Sequence, residues 1–214
     1  PKSEVYAVIE SDLNSAISAL PAQKSTDGRA TSFTAHALLG KVYLYQGKYS
    51  EAANILEPLI GLYTLPSDPG SVFLVSGENG PESVFEIQHS KESNGWNWGW
   101  LPQSTEGNFG VIHHGIRGYN GPTYSSGWSF NVPTDEFHKA FKSGDKRRDA
   151  SILDIVKWAE DNNASYNEGY EHTGYFNNKY IPRQGYSKNT MELNYENNYR
   201  YIRYADVLLM AAEA

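Results

Sequence analysis

The sequence predicts a mainly α fold, in which helical hairpins support a large irregular loop region with short β-strands. Three observations carry this reading. Apolar residues recur at three- and four-residue steps near both ends of the chain. Residues 83–88 alternate apolar and polar side chains with the period of a strand. Residues 90–131 follow neither period, yet they hold four of the five tryptophans and eight of the nineteen glycines. An aperiodic stretch of that length inside a compact chain is usually functional, and one so aromatic is not composed like a disordered linker.

The elements follow in order. Val5, Val8, Ile9, Leu13, Ala16, Ile17 and Leu20 make an amphipathic helix that Pro21 stops. Polar residues 23–29 form a loop. Helices are expected over 31–46 and 50–60, joined at Gly47, with Ser50 as N-cap and Glu51 favourable in the first turn. Pro58 should kink the second helix or end it early. Leu39-Gly40, Tyr43, Gly47, Tyr49 and Ala52 have the spacing of a tetratricopeptide repeat. Small residues there let two antiparallel helices approach, with His36 where the repeat usually has Trp. Ala35-x-x-Leu38-Leu39 is echoed by Ala205-x-x-Leu208-Leu209, so residues 204–214 read as the first helix of another repeat, the alternative being two unrelated amphipathic helices, which these residues alone would favour. Thr134 should cap a helix with Asp135 and Glu136 in its first turn, ending near Gly144-Asp145. Residues 152–158 are apolar without a clear period, and 161–198, rich in Asn, Tyr and Gly, read as a second irregular excursion. The expected organisation is one domain: a helical scaffold over 1–62 and 200–214, and a strand- and loop-rich ligand region over 63–199.

Composition removes several function classes. The net charge of −7 argues against a nucleic-acid groove, which needs a basic footprint. Lys146-Arg147-Arg148 is flanked by Asp145 and Asp149 and locally neutralised. The absence of cysteine excludes disulfides, thiolate zinc sites and thiol nucleophiles within these residues. No apolar run approaches the roughly 20 residues that span a bilayer. The chain starts at Pro1 and stops within an apparent helix, so it reads as a piece of a longer protein whose targeting signals lie elsewhere.

A set of motifs covers nearly the whole length. They are Glu10-x-Asp12-Leu13-x-x-Ala16, Leu20-Pro21, Gly28-Arg29-Ala30-Thr31, Glu82-Ser83-Val84-Phe85-Glu86-Ile87-Gln88, Pro133-Thr134-x-Glu136-Phe137 and Gly144-Asp145-x-Arg147-Arg148. The most specific is Ile202-Arg203-Tyr204-Ala205-Asp206-Val207-Leu208-Leu209-Met210. In order and spacing the chain resembles the SusD/RagB family of outer-membrane nutrient-binding lipoproteins. The resemblance implies tetratricopeptide helices in an α–α superhelix beneath a loop-rich ligand face. It also implies an extracellular, lipid-anchored glycan-binding protein that serves a SusC-like, TonB-dependent transporter. The family's lipidation cysteine and N-terminal portion are not in this sequence, so membrane attachment would be through an anchor outside it, and the chain would hold part of a family binding site.

Sugar chemistry then singles out candidates. A sugar presents weakly apolar C–H faces and a ring of hydroxyls, so flat aromatics and fixed polar groups suit it. Trp96, Trp98, Trp100, Tyr119, Tyr124 and Trp128 are the candidate platforms, with Asn97, Arg117 and Asn120 as polar partners. If residues 96–100 are extended, the three indoles share one side. About half of these aromatics should instead anchor the loop, and Trp128, nearest the following helix, is the best candidate anchor. Adjacent His113 and His114 point apart on any regular element and have no carboxylate at ligand spacing, so no metal or other cofactor is expected. Arg203 and Asp206 are spaced to pair within the fold. No nucleophile elbow, phosphate loop or zinc motif occurs, no pair of carboxylates is flagged by its context, and the resemblance implies a binding protein rather than an enzyme. The alternatives are a glycoside hydrolase, which needs two carboxylates about 5–10 Å apart, and a protein-interaction module without glycan binding.

Overall fold

The computed structural model describes residues 1–24, 26–92, 106–188 and 194–214. The chain folds into two compact units. The first contains Pro1–Pro66, Asn79–Gln88 and Arg200–Ala214; the second contains Ser67–Glu78 and His89–Tyr199. Residues 79–88, expected with the loop-rich region, belong with the helices.

In the first unit, α1 (Lys2–Ala19) ends where Leu20 turns extended before Pro21. Its apolar stripe is not buried: Val5 and Val8 are exposed, and the helix contributes no core residue. Its link to the next hairpin is polar. Glu10 accepts from Gln46 Nε2 at 2.7 Å and is paired with Lys48 Nζ; the lysine foremost, then the glutamine, holds its carboxyl below the usual range. Helix α2 (Ser32–Leu44) begins at a reciprocal cap in which the Thr34 N–H donates to Thr31 Oγ1 and the Thr31 N–H to Thr34 Oγ1, each at 3.2 Å. Lys48, not Ser50, precedes α3 (Tyr49–Leu56), so the helix starts one residue before the expected cap and gains no side-chain cap. A 3-10 turn over Glu57–Leu59 takes the chain through Pro58, the early end that the missing N–H imposes.

The predicted strand forms as β1 (Ser83–Ile87) and pairs with β4 (Tyr199–Arg203), which runs into α8 (Tyr204–Glu213). Leu56 and Leu59 pack with Ala37, Val84, Ile202, Tyr204 and Val207 into one core. Arg203 is more widely engaged than its spacing implied. Its backbone N–H donates to Asp206 Oδ2 at 2.9 Å, and its guanidinium donates to the buried Glu82 carboxylate at 2.7 Å.

In the second unit, α4 (Gly110–His113) is a single turn. Helix α5 (Asp135–Ala140) is capped as expected by Thr134, whose hydroxyl accepts the Phe137 N–H at 3.2 Å. It ends at Ala140 rather than at Gly144-Asp145, because Phe141 is already extended. Asp145 instead starts α6 (Lys146–Ser151), accepting the Arg147 N–H at 3.0 Å. Residues 152–158 divide between two elements. Strand β2 (Ile152–Asp154) pairs antiparallel with β3 (Tyr175–Asn177), Leu153 opposite Phe176, and Asp154 then caps α7 (Ile155–Asn162). Leu153, Ile155, Phe176 and Ile181 make this unit's main core with Ile116. Among the described residues no helix is long and apolar enough to cross a membrane.

Candidate functional site

The excursion expected over 90–131 is closed at its base by buried asparagines. Ser90 donates its N–H to the Glu106 carbonyl at 2.9 Å. The Asn194 side chain donates to Lys91 O at 2.9 Å, and the Asn198 side-chain oxygen accepts the His89 N–H at 2.9 Å. Asn108 pairs its N–H with Tyr195 O at 2.8 Å and its side chain with Asn197 O at 2.9 Å. Asn194, Asn197 and Asn198 are all buried. The Asn194 and Asn198 side chains are hydrogen-bonded, as buried polar groups usually are, whereas Asn197 takes part through its carbonyl and its own Oδ1 has no partner among the described residues. The asparagine-rich run read as an irregular excursion is therefore a clamp on the loop's base. Its side chains meet backbone about a hundred residues away, so no local pattern announces it.

Beyond the clamp, residues 112–117 run beside 126–130. The Trp128 N–H donates to Ile112 O at 3.0 Å, Ser129 to Gly115 O at 2.8 Å, and Phe130 to His113 O at 2.8 Å. Glycines set the spacing: a Cβ on Gly127 would stand 2.3 Å from the Gly115 Cα. Trp128, half-buried, packs with Val111, Ile112 and Tyr195. Its indole also forms a ring cluster with two neighbours, His113 at 4.9 Å and Phe130 at 6.2 Å between centroids; His113 and Phe130 lie 5.9 Å apart. Phe130 is 54% exposed, one of several large apolar side chains open to solvent among the described residues, and it is set apart by its contact with Trp128 and His113. Ser129 and Asn131, on either side of it, take left-handed φ of 60° and 56°. Such strain in non-glycine residues concentrates at functional sites.

Arg117 lies along the same edge. Its Nη2 donates to Trp128 O at 2.8 Å, and its N–H donates to Ser129 Oγ at 3.0 Å. A half-buried indole, an open phenyl ring and a tethered guanidinium thus form one ledge, able to stack on a flat apolar face and donate to hydroxyls beside it. Next to His113, the half-buried His114 has its Nδ1 atom buried and unpartnered among the described residues. Burial, and secondarily the neighbouring His113, push the His114 pKa below the ordinary histidine value.

The remaining candidates go elsewhere. Tyr119 and Tyr124 are core residues, 8% and 4% exposed, which corrects the expectation that they are platforms. Tyr119 donates its hydroxyl to Pro122 O at 2.7 Å and accepts from Trp158 Nε1 at 2.9 Å. Tyr124 stacks edge-on against Trp158 and lies under the Arg183 guanidinium. Both tyrosines found hydrogen-bond partners for their polar ends, the Tyr124 hydroxyl at Asn178 Oδ1, which is the condition for burying such rings. Asn120 commits its backbone to a reciprocal pairing with Ser165 and is exposed. Trp96, Asn97, Trp98 and Trp100 lie outside the described residues. The structure therefore brings Arg117 and Trp128 together and adds His113 and Phe130. Phe130 has a sequence-visible signal, a large apolar residue between two small polar ones, Ser129 and Asn131.

Comparison with known proteins fits this architecture. A laminarin binding SusD-like protein superposes with a TM-score of 0.87 at 40% identity, covering 99% of this chain and 50% of its own. Surface glycan-binding protein A from Bacteroides thetaiotaomicron, in complex with laminarihexaose, superposes at 0.85 with 28% identity over 99% of this chain and 49% of its own. The curated SusD-like protein P2 of Formosa agariphila is 28% identical over 227 residues, all of this chain and 43% of that protein. The chain thus spans about half the length of the relatives it matches. The SusD family model matches residues 81–214, from the turn before β1 through α8, and the chain belongs to the SusD family.

Proposed function

We propose that this chain is the glycan-binding part of a surface nutrient-uptake protein, and that it holds a laminarin-type glucan without cleaving it. The observation that carries the reading is the ledge of Trp128, Phe130 and His113 with Arg117 tethered beside it. Glucose rings present C–H faces that suit the indole and phenyl, and equatorial hydroxyls that suit the guanidinium. The choice of glucan is supported by two similar structures whose names specify laminarin and laminarihexaose. In the full-length protein the bound glycan would pass to a SusC-like, TonB-dependent transporter at the outer membrane, where a lipid anchor outside these residues holds the protein. Trp96, Trp98 and Trp100, with Asn97, are further candidate glycan contacts in this reading.

Affinity electrophoresis of the full-length protein in gels containing laminarin, with gels of other polysaccharides and a reducing-sugar assay alongside, tests the proposal. Retardation by laminarin that weakens in Phe130→Ala and in Trp96→Ala, Trp98→Ala or Trp100→Ala is the expected result. A protein retarded by no glycan would be a protein-interaction module instead. Release of reducing ends would make it a hydrolase.

A further inference from the structure

The family-typical segment 144–148 plays no part in the ledge, but it borders a separate opening in the second unit. This cavity, of about 480 Å³, is lined by Asp68, Leu74, Lys146, Asp149, Asn178 and Arg183 among others. That volume lies within the range of sites for small molecules. Its polar groups are tethered to different degrees, Asn178 and Arg183 more closely than the exposed Asp68 and Lys146. Asp68 Oδ1 accepts the Gly70 N–H at 2.8 Å. Asn178 donates its side-chain amide to Asp149 O and its backbone N–H to Ser151 O, both at 2.9 Å. The Arg183 guanidinium rests on the Tyr124 ring, 5.0 Å from its centroid, and donates to Asn178 Oδ1 at 3.3 Å. Lys146 Nζ donates to the Ser67 carbonyl over a long 3.4 Å. Among the described residues Asp68, Lys146 and Arg183 form no ion pair, whereas Asp149 is paired with Arg148 at 2.8 Å.

The charges select the ligand class. Asp68, and more weakly Asp149, whose charge is already balanced by Arg148, oppose an anion; two cations, Lys146 and Arg183, oppose a metal ion or an amine. A neutral polyhydroxylated ring meets both requirements, because each hydroxyl donates one hydrogen bond and accepts others. The carboxylate oxygens accept, the ammonium and guanidinium donate, and Leu74 offers an apolar patch to a C–H face. We propose that this cavity is a second carbohydrate site, separate from the ledge, that takes a single hexose or a disaccharide. The inference rests on the glycan-binding reading only for its choice of probe.

The test is titration of full-length Phe130→Ala protein, in which the ledge is weakened, with D-glucose and laminaribiose followed by NMR. Glycine and sodium sulfate are the zwitterion and anion controls. Saturable binding of laminaribiose is expected, weakened about tenfold by adding Asp68→Asn or Lys146→Met, since each removes a charge-assisted hydrogen bond. Both residues are exposed, so thermal melts should match the parent and separate lost binding from lost fold. The proposal is overturned if laminaribiose gives no saturable shift, if both substitutions leave it unchanged, or if glycine or sulfate binds in its place. Failure of the ledge reading would show separately, as wild-type protein unretarded by laminarin.

Discussion

Trp128 and Phe130 belong to one cluster but carry different shares of packing and exposure, and substitution should separate these. Phe130 is mostly open, so Phe130→Ala should leave the urea midpoint nearly unchanged while weakening glucan binding about threefold to tenfold, the equivalent of ~0.5–1.5 kcal/mol for an aromatic contact. Trp128 packs against Val111, Ile112 and Tyr195, so Trp128→Ala should lose binding and also about 2 kcal/mol of stability, less than for a fully buried ring. His114 adds a pH dependence. Its folded-state pKa is depressed by burial, so the unfolded chain binds the extra proton and stability rises with pH. The contribution is complete above the unfolded histidine value of about 6.5, falls as pH drops below it, and stops falling beneath the folded value. Urea titrations between pH 7.5 and 5.5 should show this slope, and His114→Gln should flatten it. His89, also depressed by burial, keeps a part of the same sign. Which aromatics bury was not readable from residue type: Tyr119 and Phe130 look equally suited to a platform. Trp158 Nε1, 39 positions along, supplies the partner that lets Tyr119 go inside.

Helix pairs of the first unit were legible because their evidence is local. The approach of α2 to α3 depends on Gly40, where an added Cβ would meet Leu56 Cγ and Cδ2 at 2.5 Å. Leu56 is fully buried and cannot swing away. Gly40→Ala should therefore destabilise the protein by about 1–3 kcal/mol through overpacking, despite alanine's better helix propensity. Chemical denaturation monitored by circular dichroism reads this, and a stabilised variant would mean that the helices separate freely. The cap at Thr134 was equally plain. Asp145 was misread as a helix end because Gly144 next to it is a stop signal, while the same carboxylate starts α6. The β2–β3 pair and the asparagine clamp were invisible for another reason. A three-residue strand has too few alternations to show a period, and Asn194 and Asn198 act on backbone more than a hundred positions away.

At the scale of the whole chain, the net charge of −7 separates two kinds of polysaccharide. A sulfated or uronic acid-rich glycan would meet general repulsion from these residues, and any binding that charged side chains such as Arg117 carried would weaken as ionic strength rises. A neutral glucan is recognised through stacking and short hydrogen bonds, neither of which the ionic atmosphere reaches. Debye screening shortens from about 14 Å near 50 mM salt to roughly 4 Å near 500 mM, a change that removes long-range charge effects and leaves contact terms intact. Laminarin retardation should accordingly vary less than about twofold across that range, while retardation by an anionic polysaccharide, if it occurs at all, should fall by about tenfold or more. A steep salt dependence with laminarin would mean that charge, not the ring ledge, holds the ligand. Because the chain spans about half of its relatives' length, the comparison is made on the full-length protein, with Phe130→Ala run beside it. The variant should lower retardation by the same factor at both salt concentrations, since the contact it removes carries no charge.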